Sequence, residues 1–387
     1  MQKAFVDLHI HIGRTKTGKA VKITGSKTLT LQNIVDFASS IKGLHMIGVI
    51  DCHVPEVISE LEETIQNGVA TEHQDGGIVF ANSLVLLLGS EIEVYDEHSS
   101  GPIHVLVYLP TLKKMKQFSE WLAPRMKNRT LSSQRIYESG IVLQEKVKAL
   151  QGLFIPAHVF TPFKSVYGKG VKQKMSEVFR LDLIDAVELG LSSDTSMAEE
   201  INELSYFPFL TNSDAHSLEK IAREYQVMAM NDYSFKDLHN VLQEKEGCHI
   251  IANYGLNPKL GKYYKTSCAK CYKQKSADVC QCGHRQFIKG VSERIQELKG
   301  EGNRKQRPPY IHQIPLEFIP KLGPKTLQAL RDHFKTDMDI IHHVSKQQLQ
   351  TVVKDDIATL IDQARLGKLL VEEGGAGRYG KVKREEA

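Results

Sequence analysis

Short apolar runs recur through the first two-thirds of the chain, and most stop at a histidine, an aspartate or a glutamate. Ala4-Phe5-Val6 leads into Asp7-Leu8-His9-Ile10-His11. On a strand, alternation puts Asp7, His9 and His11 on one face and Leu8 and Ile10 on the other. Met46–Ile50 ends in Asp51-Cys52-His53, Leu84–Ser90 in Glu91-Ile92-Glu93, and Leu153–Ala157 in His158. Ile103-His104 opens onto Val105–Tyr108, Ile184–Val187 ends in Glu188, and Phe209–Ser213 ends in Asp214-Ala215-His216. Residues 29–41, 54–66, 111–126 and 132–150 carry apolar positions at helical spacing. This alternation predicts a parallel α/β barrel, whose chemistry gathers at the C-terminal rim of its strands. A lone His-x-His is more often the wet face of a strand; the repetition of ligand-type residues along the runs points to a metal centre.

The pattern changes after Gly255. Gly255, Pro258, Gly261 and the pair Tyr263-Tyr264 mark a boundary near residue 257. Four of the six cysteines, Cys268, Cys271, Cys280 and Cys282, then fall within fifteen positions. Two close thiolate pairs can close a tetrahedral structural zinc site, which leaves no open position for catalysis. Residues 300–312 read as a linker, and 313–370 as helical. Within that region Ile314–Leu330 predicts a short helix, a turn at Gly323, and a second helix from Pro324. This resembles the helix-hairpin-helix of DNA repair proteins, in which backbone N–H groups at a helix N-terminus meet a phosphate. The resulting domains are 1–257, 258–299, the linker 300–312, 313–370, and a flexible tail 371–387.

Charge adds a partner to this picture. The 387 residues carry 50 Lys and Arg against 46 Asp and Glu, a net +4, so the whole chain is only mildly basic. Lys and Arg crowd residues 259–308, however, which suggests contact with a polyanion. Lys270, Lys273 and Arg285 lie in that stretch; Lys321 and Lys325 flank the Gly323 turn. The loop after His158 mixes Lys164 and Lys169 with Tyr167, a composition suited to a flipped or single-stranded nucleotide. The loop Gly13–Lys19 resembles a phosphate loop, but Ala20 stands where Ser or Thr is needed, so nucleotide binding is rejected. No apolar run is long enough to span a membrane and no signal peptide leads the first strand, so a cytoplasmic protein is expected.

Asp-Leu-His-Ile-His, Gly-Ser-Glu, Pro-Ala-His and Asn-Ser-Asp-Ala-His, in this order, resemble the motifs of the polymerase-and-histidinol-phosphatase (PHP) metallohydrolases. The resemblance implies a distorted β/α barrel holding two or three divalent ions. Carried over by position, the ligands are His9, His11, Asp51, Glu91, His104, His158, Asp214 and His216. The family's second motif usually reads Thr-Asp-His; here Cys52 separates Asp51 from His53. Imidazole-rich ligation suits zinc, manganese or iron. Asp214 and Glu91 are the candidate bridging carboxylates, and His216 and His53 the candidate proton carriers. With its cysteine module and basic helical region, the chain through about residue 370 resembles the endonuclease Q family. That likeness implies nicking of DNA 5′ to deaminated bases and abasic sites. Damaged DNA is then the partner, with replication and repair proteins as a possible class for which no clamp-binding peptide is found near the C-terminus. The competing reading is a phosphomonoesterase acting on a small substrate or on nucleic-acid ends.

Overall fold

The first strand, β1 (Gln2–Ile10), is buried from Ala4 onward, and the barrel is built outward from it. In this computed structural model, which describes residues 1–300, 306–369, 371–372 and 381–382, β1 pairs in parallel with β2 (Met46–Val49). β2 pairs in parallel with β3 (Val85–Val94). β4 (Ile103–Leu109) runs antiparallel to β3, and β5 (Leu153–Pro156) antiparallel to β4. The next link is made by main-chain bonds, Asp185 N to Phe154 O at 3.0 Å and Val159 N to Glu188 O at 2.9 Å. These bring in β6 (Val187–Glu188), which pairs in parallel with β7 (Phe209–Leu210). The residues after β7 return to β1: Ala215 N donates to His9 O at 3.0 Å, and His11 N to Ala215 O at 3.1 Å. The ring is thereby closed. From β1 the sheet also continues outward through β8 (Tyr225–Met230), β9 (His249–Gly255) and β10 (Tyr310–His312).

A closed ring has an inside, and the side chains show it. Leu8, Met46, Leu87, Leu106, Tyr108, Ile155, Ala186 and Leu210 meet in a single buried cluster. Residues of the opposite faces, such as Ile47, Leu88, Val107 and Phe154, join the larger cluster under the helices. The strict alternation expected in β1 fails at its end. An irregularity between Asp7 and Ile10 breaks the register against β2, so Leu8 packs inside and Ile10 outside.

Three expectations need correcting. The barrel is not all-parallel: β4 runs against its neighbours, so His104 arrives from the start of a strand, opposite Glu93. The helix expected over 132–150 is Gly140–Ala149, capped by Ser139; Ser132 and Ser133 instead turn toward buried polar groups described below. Residues 300–312 are not simply a linker, because β10 pairs in parallel with β9. Residues 301–305 of that linker lie outside the described residues. So does most of the tail 371–387, of which only the strand pair Val371–Glu372 and Lys381–Val382 is described.

The C-terminal helices Pro324–Phe334 and Asp337–His342 dock on the barrel through a buried ionic knot. Lys42 Nζ lies 3.0 Å from Asp337 and 2.5 Å from Glu317; Arg331 Nε holds Asp337 at 2.7 Å. Beside it, Tyr225 Oη meets Gln313 at 2.5 Å and His342 at 2.7 Å. Gly43, at φ +79°, lets the chain turn where any Cβ would strike Thr336. Removing one member of a buried ion pair strands the other charge. Lys42→Ala should therefore destabilise the docked helices by about 3 kcal/mol, measured as a lowered urea midpoint, with Lys42→Arg milder.

Candidate metal centre and cleft

At the rim of the ring, ligand-type atoms converge in two groups that share a neighbour. His9 Nε2 and His11 Nε2 each lie 3.5 Å from Asp214 Oδ1. Both also lie 3.6 Å from a Glu91 oxygen. Around the other side of Glu91, its Oε1 is 2.8 Å from His104 Nδ1 and 3.4 Å from His158 Nε2. His9, His11 and Asp214 form one potential metal-holding triad, and Glu91, His104 and His158 a second. Atoms bound at ~2.0–2.1 Å to one tetrahedral ion lie about 3.3 Å apart, which these spacings approach.

The residues fit a cation by a second criterion. His9 Nε2, His11 Nε2, His104 Nε2 and His158 Nδ1 are buried without a hydrogen-bond partner among the described residues. Buried polar atoms are normally satisfied, so His9 Nε2 and His11 Nε2, both turned toward Asp214 and Glu91, mark a place for something that accepts their lone pairs. The field agrees. Burial would lower the His9 imidazole, but Glu188, Asp214 and Glu91 outweigh it and raise it to about 10. Burial would raise Glu91, yet His104 and Lys22 hold it well below the usual carboxylate range. Asp214 is likewise held low, by His9, His11 and His216 against its burial.

A layer of groups behind the imidazoles fixes their aim. Glu188 takes His9 Nδ1 at 2.9 Å, Asn212 Nδ2 at 2.8 Å and the His158 backbone N at 2.9 Å. Asp51 Oδ2 contacts His11 Nδ1 at 3.2 Å and accepts Ile12 N at 2.7 Å. Ser132 Oγ also reaches His11 Nδ1, at 3.0 Å. Such partners set tautomer and orientation. His158 at φ +32° and Asp214 at φ +46° occupy left-handed backbone, which is uncommon outside glycine and is found where a site demands it.

Two expected members stand elsewhere. Asp51 belongs to neither triad among the described residues; it sits behind His11. His53 is fully buried, bonded through Nδ1 to Ser90 Oγ at 2.7 Å, and burial pulls its pKa to about 4. It does not line the cleft, because Cys52 displaces it one step along the chain. His216 does line it, with Nε2 3.2 Å from Asp214 Oδ1 and its ring edge-on to His11.

The cleft in front of the triads measures about 400 Å³ and is bounded on one side by Lys220, Arg223, Lys262 and Tyr263. No spacing in the chain singles out these cations. Lys22 and Glu188 also reach the centre without belonging to the motifs, although Glu188 ends one of the apolar runs. Of the expected nucleic-acid contacts, Lys164, Lys169, Lys270, Lys273, Arg285, Lys321, Gly323 and Lys325 are exposed. Lys164 pairs with Glu93 at 2.8 Å and Lys321 with Asp356 at 2.9 Å. Tyr167 is a correction: it is fully buried, stacked on Phe160, with its hydroxyl on Glu203 at 2.7 Å. The first arm of the expected hairpin is a single 3-10 turn, Leu316–Phe318, before the helix that starts beyond Gly323.

The four cysteines form a third cluster. Cys268 and Cys282 sulfurs lie 3.7 Å apart, and Cys271 and Cys280 sulfurs 3.3 Å apart. Zinc–sulfur bonds of ~2.3 Å place tetrahedral sulfurs about 3.8 Å apart, so the donor set fits one zinc.

No protein-family model matches the chain. Uncharacterized protein YqxK of Bacillus subtilis is 55% identical over 387 residues, covering 99% of this chain and 100% of that protein. Among solved structures, the lesion-specific endonuclease PfuEndoQ from Pyrococcus furiosus superposes with a TM-score of 0.84 at 28% identity, covering 100% of this chain and 96% of that one. Endonuclease Q in complex with a 27-mer duplex carrying an abasic lesion at the active site gives 0.85 at 27% identity, covering 100% and 97%.

Beneath the cleft, Glu224 is fully buried; one oxygen accepts Leu256 N at 2.8 Å and the other has no partner among the described residues. Burial pushes its pKa to about 8, opposed by Leu256 N–H and Arg223 and assisted by Glu188 and Asp7. The folded state therefore holds a proton that the unfolded chain has released above about pH 4.5. Stability from this group is present at low pH and is lost as pH rises toward 8. Glu224→Gln should be less stabilised by acid than the parent, so urea midpoints at pH 6, 7 and 8 should fall less steeply.

Proposed function

Because the chain belongs to the endonuclease Q family of PHP metallohydrolases, we propose that it nicks DNA 5′ to deaminated bases (uracil, hypoxanthine, xanthine) and abasic sites, leaving a 3′-hydroxyl and a 5′-phosphate. The observation that carries this reading is the pair of triads opening into a cleft edged by Lys220, Arg223 and Lys262. His9, His11 and Asp214 would hold one divalent ion, and Glu91, His104 and His158 another; zinc, manganese or iron suits these donors. When bound, such ions supply Lewis acidity toward phosphoryl oxygens and toward water.

The chain's own groups do the rest. Glu188 and Asp51 keep the His9 and His11 rings turned into the site. Lys220, Arg223 and Lys262 present positive charge to the phosphate backbone. His216, partly exposed beside Asp214, is placed to pass a proton between the cleft and solvent. The damaged nucleotide is turned out of the duplex, at lower cost than an intact pair. The exposed Lys164 and Lys169, and Lys270, Lys273 and Arg285 of the cysteine module, would offer further positive charge to the phosphate backbone. Farther out, the backbone after Gly323, with Lys321 and Lys325, supplies a helix N-terminus for a phosphate. No helix among the described residues is long and apolar enough to cross a membrane.

One gel tests the assignment. With manganese or zinc, duplexes carrying uracil, hypoxanthine or an abasic site should be nicked on the 5′ side of the lesion, and an intact duplex should survive. Turnover of an aryl phosphate monoester alone would defeat it. His9→Ala should abolish nicking while binding of the lesion duplex stays nearly unchanged, and chelation of the parent should do the same, reversibly.

A further inference from the structure

A second cavity, of about 250 Å³, lies between the approach to β7 and the strand β9, and it shares no lining residue with the metal cleft. Sequence-distant stretches of the chain build it. Phe207, Leu242 and Ile250 give it apolar walls. Three polar side chains line it as well, and each keeps one atom without a hydrogen-bond partner among the described residues: Thr195 Oγ1, Asn253 Oδ1 and Arg307 Nε. Thr195 is 8% exposed and Asn253 2%. The other polar atoms of the amide and the guanidinium are fixed. Asn253 Nδ2 donates to Phe209 O at 3.2 Å, which leaves its oxygen as the free end. Arg307 donates from Nη1 to Phe207 O and from Nη2 to Leu204 O, the latter at 3.0 Å. Its guanidinium carbon sits 3.9 Å from the centre of the Phe209 ring. Both side chains are thus anchored on Phe209, one supplying a free acceptor and the other a free donor.

Buried polar atoms are normally satisfied, and a single water serves them in a small polar void. This cavity is larger than that. It stands just below ordinary ligand sites, which begin near ~300 Å³, and Phe207, Leu242 and Ile250 offer water no partner. Charge narrows the guest. Glu199 Oε1 lies 3.6 Å from Arg307 Nε, so the guanidinium is already faced by a carboxylate, and the exposed Glu244 adds a further negative charge at the lip. An anion would meet those acids and a cation the guanidinium; an uncharged guest meets neither penalty. Shape narrows it further. A trans open-chain amide points N–H and C=O in opposite directions, whereas a lactam ring presents them side by side. We propose that the cavity binds an uncharged lactam ring, the class of the oxopyrimidines and oxopurines. Its N–H donates to Asn253 Oδ1, its carbonyl accepts from Thr195 Oγ1 and Arg307 Nε, and its ring packs on Leu242 and Ile250. The site stands whether or not the chain cuts DNA.

Calorimetric titration of the full chain with free bases is the test. Uracil and hypoxanthine should each bind. 1,3-Dimethyluracil, which keeps the ring and both carbonyls but has no N–H, should bind about tenfold more weakly, the effect of one hydrogen bond. Thr195→Val removes the hydroxyl at nearly constant size and should weaken uracil about tenfold as well, with the melting temperature of the free protein unchanged. Asp214→Asn, which alters the metal cleft and not this cavity, should bind uracil as the parent does. Failure of both bases to bind would overturn the proposal, as would dimethyluracil binding as tightly as uracil. So would a folded Thr195→Val with the parental affinity, or loss of uracil from Asp214→Asn, which would put the base in the metal cleft instead. Should Thr195→Val not fold, the methylated and unmethylated bases on the parent decide the matter.

Discussion

The structure depends on putting Glu91 where imidazoles crowd it from both sides. A buried carboxylate is costly unless positive charge surrounds it. Here His9 and His11 approach from one strand end, His104 from the next pair of strands, His158 from a left-handed turn, and Lys22 from a loop. Two of those side chains are themselves held by further carboxylates, Glu188 and Asp51. The centre is thus a layered arrangement of alternating charge, stable only if its parts arrive together.

Closing the barrel is what makes them arrive together. The hydrogen bonds between Ala215 and the end of β1 bring Asp214 and His216 beside His9 and His11 across more than two hundred residues. The reversal of β4 serves the same end. A parallel strand would carry the start of β4 to the far end of the ring; running backward, it delivers His104 to the rim opposite Glu93.

Much of this was legible in the chain because most ligands stand at the ends of apolar runs. His9 and His11 close the first apolar run, and Glu91, His158 and Asp214 each end a later one. What alternation cannot carry is direction or reach. It gave no sign that β4 runs backward, or that Asp51 would stop behind His11. Tyr167 read as an accessible aromatic because the loop around it is basic; its burial follows from packing on Phe160, which no local pattern encodes. Lys22 was hidden for the opposite reason: a lysine in a basic loop is usually solvated, and only the fold shows which of several turns inward.

The pairing of β10 with β9 has a bearing on how the C-terminal helices are held. A module joined by a slack tether would swing, and its distance from the metal centre would vary. Here three residues of parallel ladder and the knot around Lys42 mortise the helices to the barrel wall. The helices and the barrel rim are thereby held at one fixed spacing and orientation.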